Sequence, residues 1–309
     1  MTERPLLSVI VPVYNMEKYI GQCLCAILSL QDPAMEVIVV DDGSTDGVDV
    51  VLASFTDTRL KILRERHRGV SAARNAGFKH SRGKFILPVD ADDIPIVENW
   101  RSLLVALAAN PDAVLVYGAR RLFEGGADKF PRSLPSKRSL PSKGACPEND
   151  AVVPLIFKKN FIRMGSAVVR REAIETVGLW NENLTVGEDW ELWCRLACLG
   201  RFIYCPVLAV RYRRHTQSAT GAPVSRDAQD PGLAAIETIY SHRCVQHKTG
   251  AHHHKLKQEA LAWHTYNWGA RLIHSGAYWP GAKAWVWAMS KDPSLFLYLC
   301  SFPIRRLRQ

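Results

Sequence analysis

Three aspartates crowd the end of an apolar run in the segment KFILPVDADDIP, which covers residues 84–95. Asp90, Asp92 and Asp93 fall within four consecutive positions, where their like charges repel one another. In extended backbone the carboxylates of Asp90 and Asp92 point to the same side, whereas Asp93 points away unless the chain turns. Hard oxygen ligands of this kind suit Mg2+ or Mn2+, which take one or two carboxylates together with phosphate oxygens. The segment therefore predicts a site for a divalent cation that arrives with a phosphate-bearing ligand.

The same aspartates also fit an exposed turn in which Asp92 or Asp93 caps a following helix, which the segment ENWRSLLVALAAN predicts. Capping accounts for one or two of the three acids, but it gives Asp90 no role. Both interpretations stay open when this segment is taken alone.

Charged residues with similar alternatives occur in three other motifs. The run MEVIVVDDGSTDG contains Asp42, whose carboxylate suits an Asx-type turn or a hydrogen bond from a ligand. In GVSAARNAG, the guanidinium of Arg74 either binds phosphate oxygens as a fork or is simply solvated. In LTVGEDWELWCRL, Glu188 and Asp189 begin a helix, where the helix dipole favours acids even without a chemical role. The positions of these motifs in the fold must decide between the alternatives.

Apolar runs alternate with helix-like segments through the first half of the chain. LLSVIVPVYN, MEVIVV, RLKILRER and KFILPVD are predicted strands, and MEKYIGQCLCAILSLQ and GVSAARNAGFKHS are predicted helices. Such alternation predicts an α/β fold, a Rossmann-like doubly wound, mostly parallel sheet with helices on both faces. Ligands of such sheets bind outside the carboxyl ends of the strands, so the polar residues after Val40 and Val89 should line one crevice.

The chain divides into two predicted regions. Residues 1–221 would form the sheet domain, with a basic loop at about 125–150 that is rich in Pro, Ser, Lys and Gly and is expected to be mobile. Residues 222–309 are helical in composition, and the last segment, PSLFLYLCSFPIRRLRQ, is apolar and then basic. This last segment would either lie at a membrane interface or cap the core.

Composition limits the partners and the location. The 309 residues carry a formal net charge of +10, which favours an anionic partner such as nucleic acid, an acidic membrane or a phosphorylated small molecule. The start MTERPLLSVIVPVYN lacks the features of a secretory signal, and no window holds the roughly 18 apolar residues of a membrane span. We therefore expect a cytoplasmic protein, with peripheral membrane contact still open.

Cysteine and histidine give no clear metal motif. The eight cysteines contain no C-x-x-C pair, and most lie in apolar patterns, which indicates buried reduced thiols. The tract AHHHK at 251–255 is interpreted as a solvated turn, because three consecutive side chains cannot share one face of a helix.

Five of these segments resemble family 2 glycosyltransferases, which are inverting enzymes with the GT-A fold. The segments are SVIVPVYN, EVIVVDDGSTD, GVSAARNAG, PVDADD and GEDWELWCRL, and they follow the family's order between about residues 7 and 218. The resemblance implies a GT-A domain followed by a helical extension outside the match. It also implies a transfer, dependent on Mn2+ or Mg2+, of a sugar from a nucleotide-sugar donor, above all a UDP-sugar, to an acceptor hydroxyl.

The resemblance assigns the metal site to the aspartate segment. Asp92 would bind the metal, and Asp90 would lie near the ribose of the donor. Asp93 is a further candidate ligand, because some members of the family place the ligating acid one position later. His215, in RYRRHTQS, would lie near the metal or the diphosphate, although a single histidine at such a place is also compatible with a purely structural role.

The resemblance also implies residues for catalysis and for the donor. Asp189 would be the general base, with Glu188 beside it and Trp190 in the acceptor wall. The donor nucleotide would be contacted by six further residues: Pro12, Tyr14, Glu17 and Asp42 around the base, and Arg74 and Asn75 nearby.

The implied acceptor is a glycan or a lipid-linked intermediate of envelope or surface polysaccharide synthesis, and no nucleic acid partner is expected. The enzyme would act at the cytoplasmic face of the membrane, with the basic loop attracting an anionic lipid-linked acceptor. One alternative is a nucleotidyltransferase of similar fold, although PVYNMEKYI stands where a Gly-rich, basic signature would be expected. The other is a non-catalytic protein that binds nucleic acid or membrane through its charge.

Overall fold

The computed structural model describes most of the chain, namely residues 4–32, 34–124, 149–215, 224–225 and 228–296. Nearly all of the predicted basic loop lies outside the described residues, and so does the predicted domain boundary at 221/222. Most of the last segment of the tail, from residue 297 onward, lies outside them as well.

An eight-stranded sheet forms the centre of the sheet domain. Its strands are β1 Leu7–Val13, β2 Met35–Asp41, β3 Leu60–Arg64, β4 Phe85–Pro88, β5 Ile94–Pro95, β6 Ala113–Glu124, β7 Ala167–Arg170 and β8 Arg201–Arg214. The order across the sheet is β3-β2-β1-β4-β7-β6-β8-β5. Strands β1 to β4 are parallel to one another. Strand β7 is antiparallel to β4 and β6, and β6 and β8 are parallel. The predicted doubly wound, mostly parallel sheet is thus confirmed, with a mixed second half.

Helices cover both faces of this sheet and form the tail. They are α1 Glu17–Leu28, α2 Val48–Ala53, α3 Val70–His80, α4 Trp100–Ala108, α5 Asn149–Ile156, α6 Arg171–Val177, α7 Glu188–Leu199, α8 Gly232–Ser241, α9 Arg243–Thr249, α10 His253–His274 and α11 Tyr278–Lys291. All seven residues of β1 are buried, as expected for a strand covered on both sides. Ile10 packs into the core with α3, α5, α6 and α7, whereas Val9 and Val11 pack into the core with α1, α2 and α4.

The segment AVLVYGARRLFEGG differs from its prediction as a strand pair or a strand with a turn. It contains the whole of the long strand β6, because β8 pairs with it in parallel from Ala113 opposite Arg201 to Glu124 opposite Arg214. Without its partner strand and the rest of the sheet, neither of these long strands would be stable. The consequence for function is that β6 and β8 extend together to the edge where the predicted crevice lies.

The first helices of the tail pack on the sheet domain. α8 and α9 contribute Ile236, Ile239 and Val245 to the core that contains α7. The hydroxyl of Tyr240 donates to the carbonyl oxygen of Phe157 at 2.7 Å. These helices therefore support α7 rather than forming a separate unit.

The cysteine prediction is correct for some thiols and wrong for others. Cys23 and Cys194 are buried, Cys198 and Cys205 are half-buried, and all are reduced, whereas Cys25 and Cys244 are exposed. Cys146 and Cys300 lie outside the described residues. None of the described helices has the length and apolar character that crossing a membrane requires.

Candidate active site

A crevice of about 360 Å³ opens beyond the carboxyl ends of β1, β2 and β4, at the predicted edge of the sheet. Residues from distant parts of the chain line it: Pro12, Tyr14, Met16, Asp42, His67, Arg74, Asp90, Asp92, Arg163, Met164, Glu188, Asp189 and Tyr212, among others. The polar residues predicted after Val40 and Val89 therefore do meet.

The three aspartates after β4 converge because the chain turns. The backbone N–H of Asp93 donates to the carbonyl oxygen of Asp90 at 3.1 Å. As a result, one oxygen from each carboxylate lies within 4.8 Å of the others, so Asp93 does not point away. The segment continues into β5 and a short 3-10 turn, and α4 begins only at Trp100, without a side-chain cap. The interpretation of these acids as helix caps is therefore wrong.

Asp93 is the most deeply buried member of the cluster, with 1% of its surface exposed. One oxygen, Oδ1, accepts the backbone N–H of Arg213 at 2.9 Å, and Oδ2 is shielded from solvent with no hydrogen-bond partner among the described residues. Burial raises the pKa of Asp93 well above its usual value, and the charges of Asp92 and Asp90 raise it further. A divalent cation would remove this penalty, so the residues present fit one.

His215 lies beside the cluster, as predicted. Its Nε2 is 2.9 Å from Oδ2 of Asp92, and its ring lies against that of Tyr19, with the centroids 4.5 Å apart. Among the described residues, Asp90, Asp92 and Asp93 are the one group of three acidic, His or Cys side chains close enough to share a metal ion. The tract at 251–255 accordingly provides no such group.

Arg74 joins the aspartate cluster to the start of α7. Its Nη2 donates to Oδ1 of Asp90 and its Nη1 to Oε1 of Glu188, both at 2.7 Å. Burial raises the pKa of Asp90 and of Glu188, and the guanidinium opposes both shifts. Because both terminal nitrogens already bind carboxylates, Arg74 holds the acids in place and does not present an open fork.

Asp189 lies on the crevice wall at the first turn of α7. Gly187 precedes the helix with a φ of 81°, a left-handed conformation that glycine adopts without strain. Oδ1 of Asp189 accepts the backbone N–H of Trp190 at 2.7 Å, and Oδ2 accepts the side-chain N–H of Asn160 at 2.8 Å. The two donors fix the orientation of this carboxylate.

Asp42 and Tyr14 lie at the opposite end of the crevice, near β1 and β2. The carboxylate of Asp42 accepts the backbone N–H groups of Arg68 and Gly69 at 2.9 and 2.8 Å. His67 Nδ1 lies 2.9 Å from the same carboxylate, and the His67 ring stacks on Tyr14 with centroids 3.9 Å apart. Together they form an aromatic and polar pocket of a kind that suits a planar base.

Three predicted residues are not brought to the crevice. Asn75 uses its side-chain amide to hold Trp180 and Glu182, and Glu17 accepts the backbone N–H of Gly47 ahead of α2. Trp190 is 5% exposed and donates to the carbonyl oxygen of Ile156 in the core, so the prediction that it forms part of the acceptor wall is wrong. Asn75 and Glu17 therefore support loops around the site, whereas Trp190 joins α7 to the end of α5 in the core.

Four polar or aromatic residues at the site were not predicted: His67, Asn160, Arg163 and Tyr212. His67 has a weak signal, because RHRG directly precedes GVSAARNAG. The other three carry no local signal, since they reach the crevice only through pairing of β7, β6 and β8.

The sequence of the chain matches a known family over the part of this site that comes from the first 178 residues. Residues 8–178 match the profile described as Glycosyl transferase family 2. The chain belongs to this family. Glycosyltransferase GlyG of Streptococcus pneumoniae is 38% identical over 116 residues, which cover 37% of this chain and 38% of GlyG. An uncharacterized glycosyltransferase of Haemophilus influenzae is 28% identical over 224 residues, or 70% of this chain and 67% of that protein.

Solved structures of similar fold align with nearly the whole chain, including the helical tail. Residues 1–349 of S. aureus TarS, in complex with UDP-GlcNAc, align with a TM-score of 0.57 and 17% identity, covering 94% of this chain and 91% of TarS 1–349. The mannosyltransferase PcManGT from Pyrobaculum calidifontis, with GDP-Man and Mn2+, aligns with a TM-score of 0.59 and 20% identity over 96% and 82% of the two chains. The predicted GT-A fold with a helical extension is confirmed.

Proposed function

We propose that this protein transfers a sugar from a nucleotide-sugar donor to a hydroxyl group of a glycan or lipid-linked acceptor, with inversion at the anomeric carbon. The observation that carries the proposal is the convergence, in one crevice, of the three aspartates after β4 with Asp189 at the start of α7. Membership of family 2 supports the reaction class.

The aspartate cluster would hold Mn2+ or Mg2+ through Asp92, with Asp90, Asp93 and His215 as neighbours. The fit rests on the unpartnered oxygen of Asp93 and on three carboxylates within 4.8 Å. When bound, such an ion neutralises the charge on the diphosphate that leaves. Arg74 favours the ionised form of Asp90 and aims its carboxylate at this place by donating to its Oδ1.

Asp189 would act as the general base. The acceptor oxygen forms its bond to the anomeric carbon as the bond from that carbon to the diphosphate oxygen breaks, and the acceptor proton moves to Asp189. Base catalysis of this kind contributes about 10²–10⁴-fold. No covalent nucleophile is needed, and Glu188, paired with Arg74, would serve as a neighbouring contact.

The end of the crevice near β1 and β2 would bind the nucleoside. Pro12, Tyr14 and Asp42 line it together with His67, which provides a stacking ring. The similar structures hold a uridine nucleotide in TarS and a guanosine nucleotide in PcManGT, so a UDP-sugar is the first donor to test.

The test is calorimetric titration of UDP into the wild type and Asp92→Ala, with and without Mn2+. We expect metal-dependent binding that the substitution abolishes, because Asp92 would supply the carboxylate that holds the metal. Binding of GDP in place of UDP would change the base assignment only. A wild type that binds neither nucleotide with metal would overturn the proposed function and leave the non-catalytic alternative.

The acceptor would belong to envelope or surface polysaccharide synthesis at the cytoplasmic face of the membrane. Helix α11 supports peripheral membrane contact, since it exposes Trp279, Val286 and Trp287 on one side, with Lys283 over the Trp279 ring. In a vesicle sedimentation assay, Trp279→Ala with Trp287→Ala should lower binding to vesicles containing anionic lipid. The matched change Val50→Ala, at an exposed apolar residue on α2, should not. Equal binding by all variants would remove the membrane contact from the proposal.

A further inference from the structure

The guanidinium of Arg163 lies half-buried on the crevice wall, within electrostatic range of Asp93 but without a hydrogen-bond partner among the described residues. Its Nε is shielded from solvent, and the side chain forms no hydrogen bond or ion pair with the described residues. Its contact is the ring of Tyr212, whose centroid lies 5.4 Å from Cζ. Burying cationic N–H groups without acceptors is costly, so such a side chain is suited to bind an anion.

Arg163 belongs to a larger cationic surface on β6 and β8. Leu122 of β6 pairs with Tyr212 of β8, and Arg120, two residues before Leu122, lies on the same face of the sheet. The guanidinium of Arg120 is 5.9 Å from the Tyr212 ring, so two arginines contact one tyrosine. Arg214, two residues after Tyr212, is exposed on this face as well. We call Arg120, Arg163, Tyr212 and Arg214 the arginine face.

The opposite face of the same strands serves a different purpose. Phe123 packs there against the guanidinium groups of Arg211 and Arg213, at 4.6 and 4.7 Å. Arg213 donates from Nε to the carbonyl oxygen of Asp92 at 2.8 Å, which braces the aspartate turn. One row of arginines therefore serves the structure, whereas Arg120 and Arg214 lie on the face whose Tyr212, together with Arg163, lines the crevice.

The arginine face lies on the acceptor side of the crevice. The nucleoside pocket is at β1 and β2, whereas β6 and β8 follow β4 and β7 in the sheet, on the other side of the aspartate cluster. The segment that carries Arg163 also carries Asn160, whose side-chain N–H holds Asp189 at 2.8 Å. An anion bound by Arg163 would therefore lie close to the hydroxyl that Asp189 deprotonates.

We infer that the acceptor carries a phosphate group next to the hydroxyl that receives the sugar, and that Arg163, stacked on Tyr212 and flanked by Arg120, binds this phosphate. The inference rests on the proposed function and names its acceptor class. Guanidinium groups bind phosphate oxygens through paired N–H donors, and several in a row suit a ligand with more than one negative charge. Arg74 is less suited to this role, because its charge is already balanced by the carboxylates of Asp90 and Glu188.

The experiment is a calorimetric titration of glycerol 3-phosphate into the full chain loaded with Mg2+ and UDP, or with GDP if UDP does not bind. Glycerol is the uncharged control ligand. The variants are Arg163→Gln, which removes the charge, and Arg163→Lys, which keeps the charge but loses the paired donors. Arg101→Gln, at an exposed position on α4, is the control for net charge.

We expect glycerol 3-phosphate to bind and glycerol not to bind. Arg163→Gln should weaken phosphate binding at least tenfold and Arg163→Lys about threefold, while Arg101→Gln leaves it unchanged. Nucleotide affinity, measured in the same variants, reports that the proteins are folded and that the donor site is intact.

Three results would overturn the inference. The first is an absence of phosphate binding in a protein that binds nucleotide, which leaves the proposed function standing. The second is unchanged phosphate affinity in Arg163→Gln. The third is a tenfold loss of nucleotide affinity in Arg163→Gln with phosphate binding retained, which would assign Arg163 to the donor diphosphate. If the wild type binds no nucleotide, the proposed function fails, and this inference fails with it.

Two further probes identify the source of the phosphate. Tighter binding of diglycerol phosphodiester than of farnesyl phosphate would indicate a phosphodiester polymer as the acceptor, and the reverse order would indicate a lipid carrier. Either order supports the inference, provided that Arg163→Gln weakens the tighter ligand.

Discussion

The two ends of the crevice differ in how their polar groups are satisfied. At the donor end, both carboxylate oxygens of Asp42 accept backbone N–H groups of the same chain, and Tyr14 is stacked on His67. At the acceptor end, Nε of Arg163 and Oδ1 of Asn160 are shielded from solvent without partners among the described residues. The donor pocket is therefore complete within the protein, whereas the acceptor end has binding capacity left for a ligand.

This difference indicates where specificity resides. A pocket whose groups are already oriented binds its ligand with little reorganisation, which suits a donor nucleotide shared by many enzymes. Unpartnered groups discriminate strongly, because a ligand that fails to pair them leaves their desolvation cost in place. We therefore expect substitutions at the acceptor end to change transfer and those at the donor end to change nucleotide affinity.

Asp189→Asn should have the largest effect. Loss of the base should lower the transfer rate by about 10²–10⁴-fold, because the amide of asparagine cannot accept the proton of the acceptor hydroxyl. The measurement is steady-state transfer together with calorimetric nucleotide binding, which should stay within twofold of the wild type. A comparable loss of nucleotide affinity would show that the two ends are not separable.

Asn160→Ala should have a smaller effect of the same kind. Removing the donor at 2.8 Å from Oδ2 frees the Asp189 carboxylate to rotate, which should lower kcat by about tenfold. Nucleotide affinity should not change. Asn110→Ala, at a half-buried asparagine that ends α4 away from the site, is the matched control. A change in KM alone would assign Asn160 to acceptor binding.

His67→Ala should affect the donor end only. Loss of the ring stacked on Tyr14 and of its contact with Asp42 should weaken nucleotide binding by about three- to tenfold, on the scale of one stacking contact. At saturating donor, kcat should be unchanged. The control is His80→Ala, at an exposed position at the end of α3. A fall in kcat at saturation would contradict the division between the two ends.

Asp93→Asn should have the smallest effect. The effect is on the stability of the folded protein, and the residue lies in the aspartate cluster between the two ends of the crevice. Without metal, the pKa of Asp93 in the folded protein is raised by burial, so the native state holds this proton more tightly than the unfolded chain. Its contribution to stability is therefore greatest below the unfolded pKa and is lost as pH rises through the folded pKa.

At neutral pH and without metal, the Asp93→Asn variant should therefore melt roughly 2–4 °C higher than the wild type. This advantage should shrink as pH falls, and added Mg2+ should stabilise the wild type more than the variant. Thermal melting at several pH values, with and without Mg2+, measures the difference in melting temperature, its dependence on pH and the effect of the metal. A lower melting temperature without metal would show that Asp93 is required for packing.

The donor half of the fold was predictable because its signals are local. The motifs around Asp42 and Asp90 each directly follow a strand end, so the rule that parallel strands present their carboxyl ends to one edge brings them together, and Arg74 lies on the helix between β3 and β4. Sequence could not tell that Asp93 turns inward, that Asn75 supports a loop or that Trp190 packs in the core. Those outcomes depend on Arg213, Trp180 and Ile156, which lie far along the chain.

By itself, the sequence determined the family, the parallel strands and the acids at their ends, because periodicity and short motifs are written in consecutive residues. Only the tertiary structure decided which acids share one arginine and which arginine keeps N–H donors for a ligand. Arg74 is engaged because two distant acids meet at its fork, and Arg163 is available because long-range pairing of β6 and β8 sets Tyr212 beneath it. Such pairings join residues tens to more than a hundred positions apart, and no local pattern encodes them.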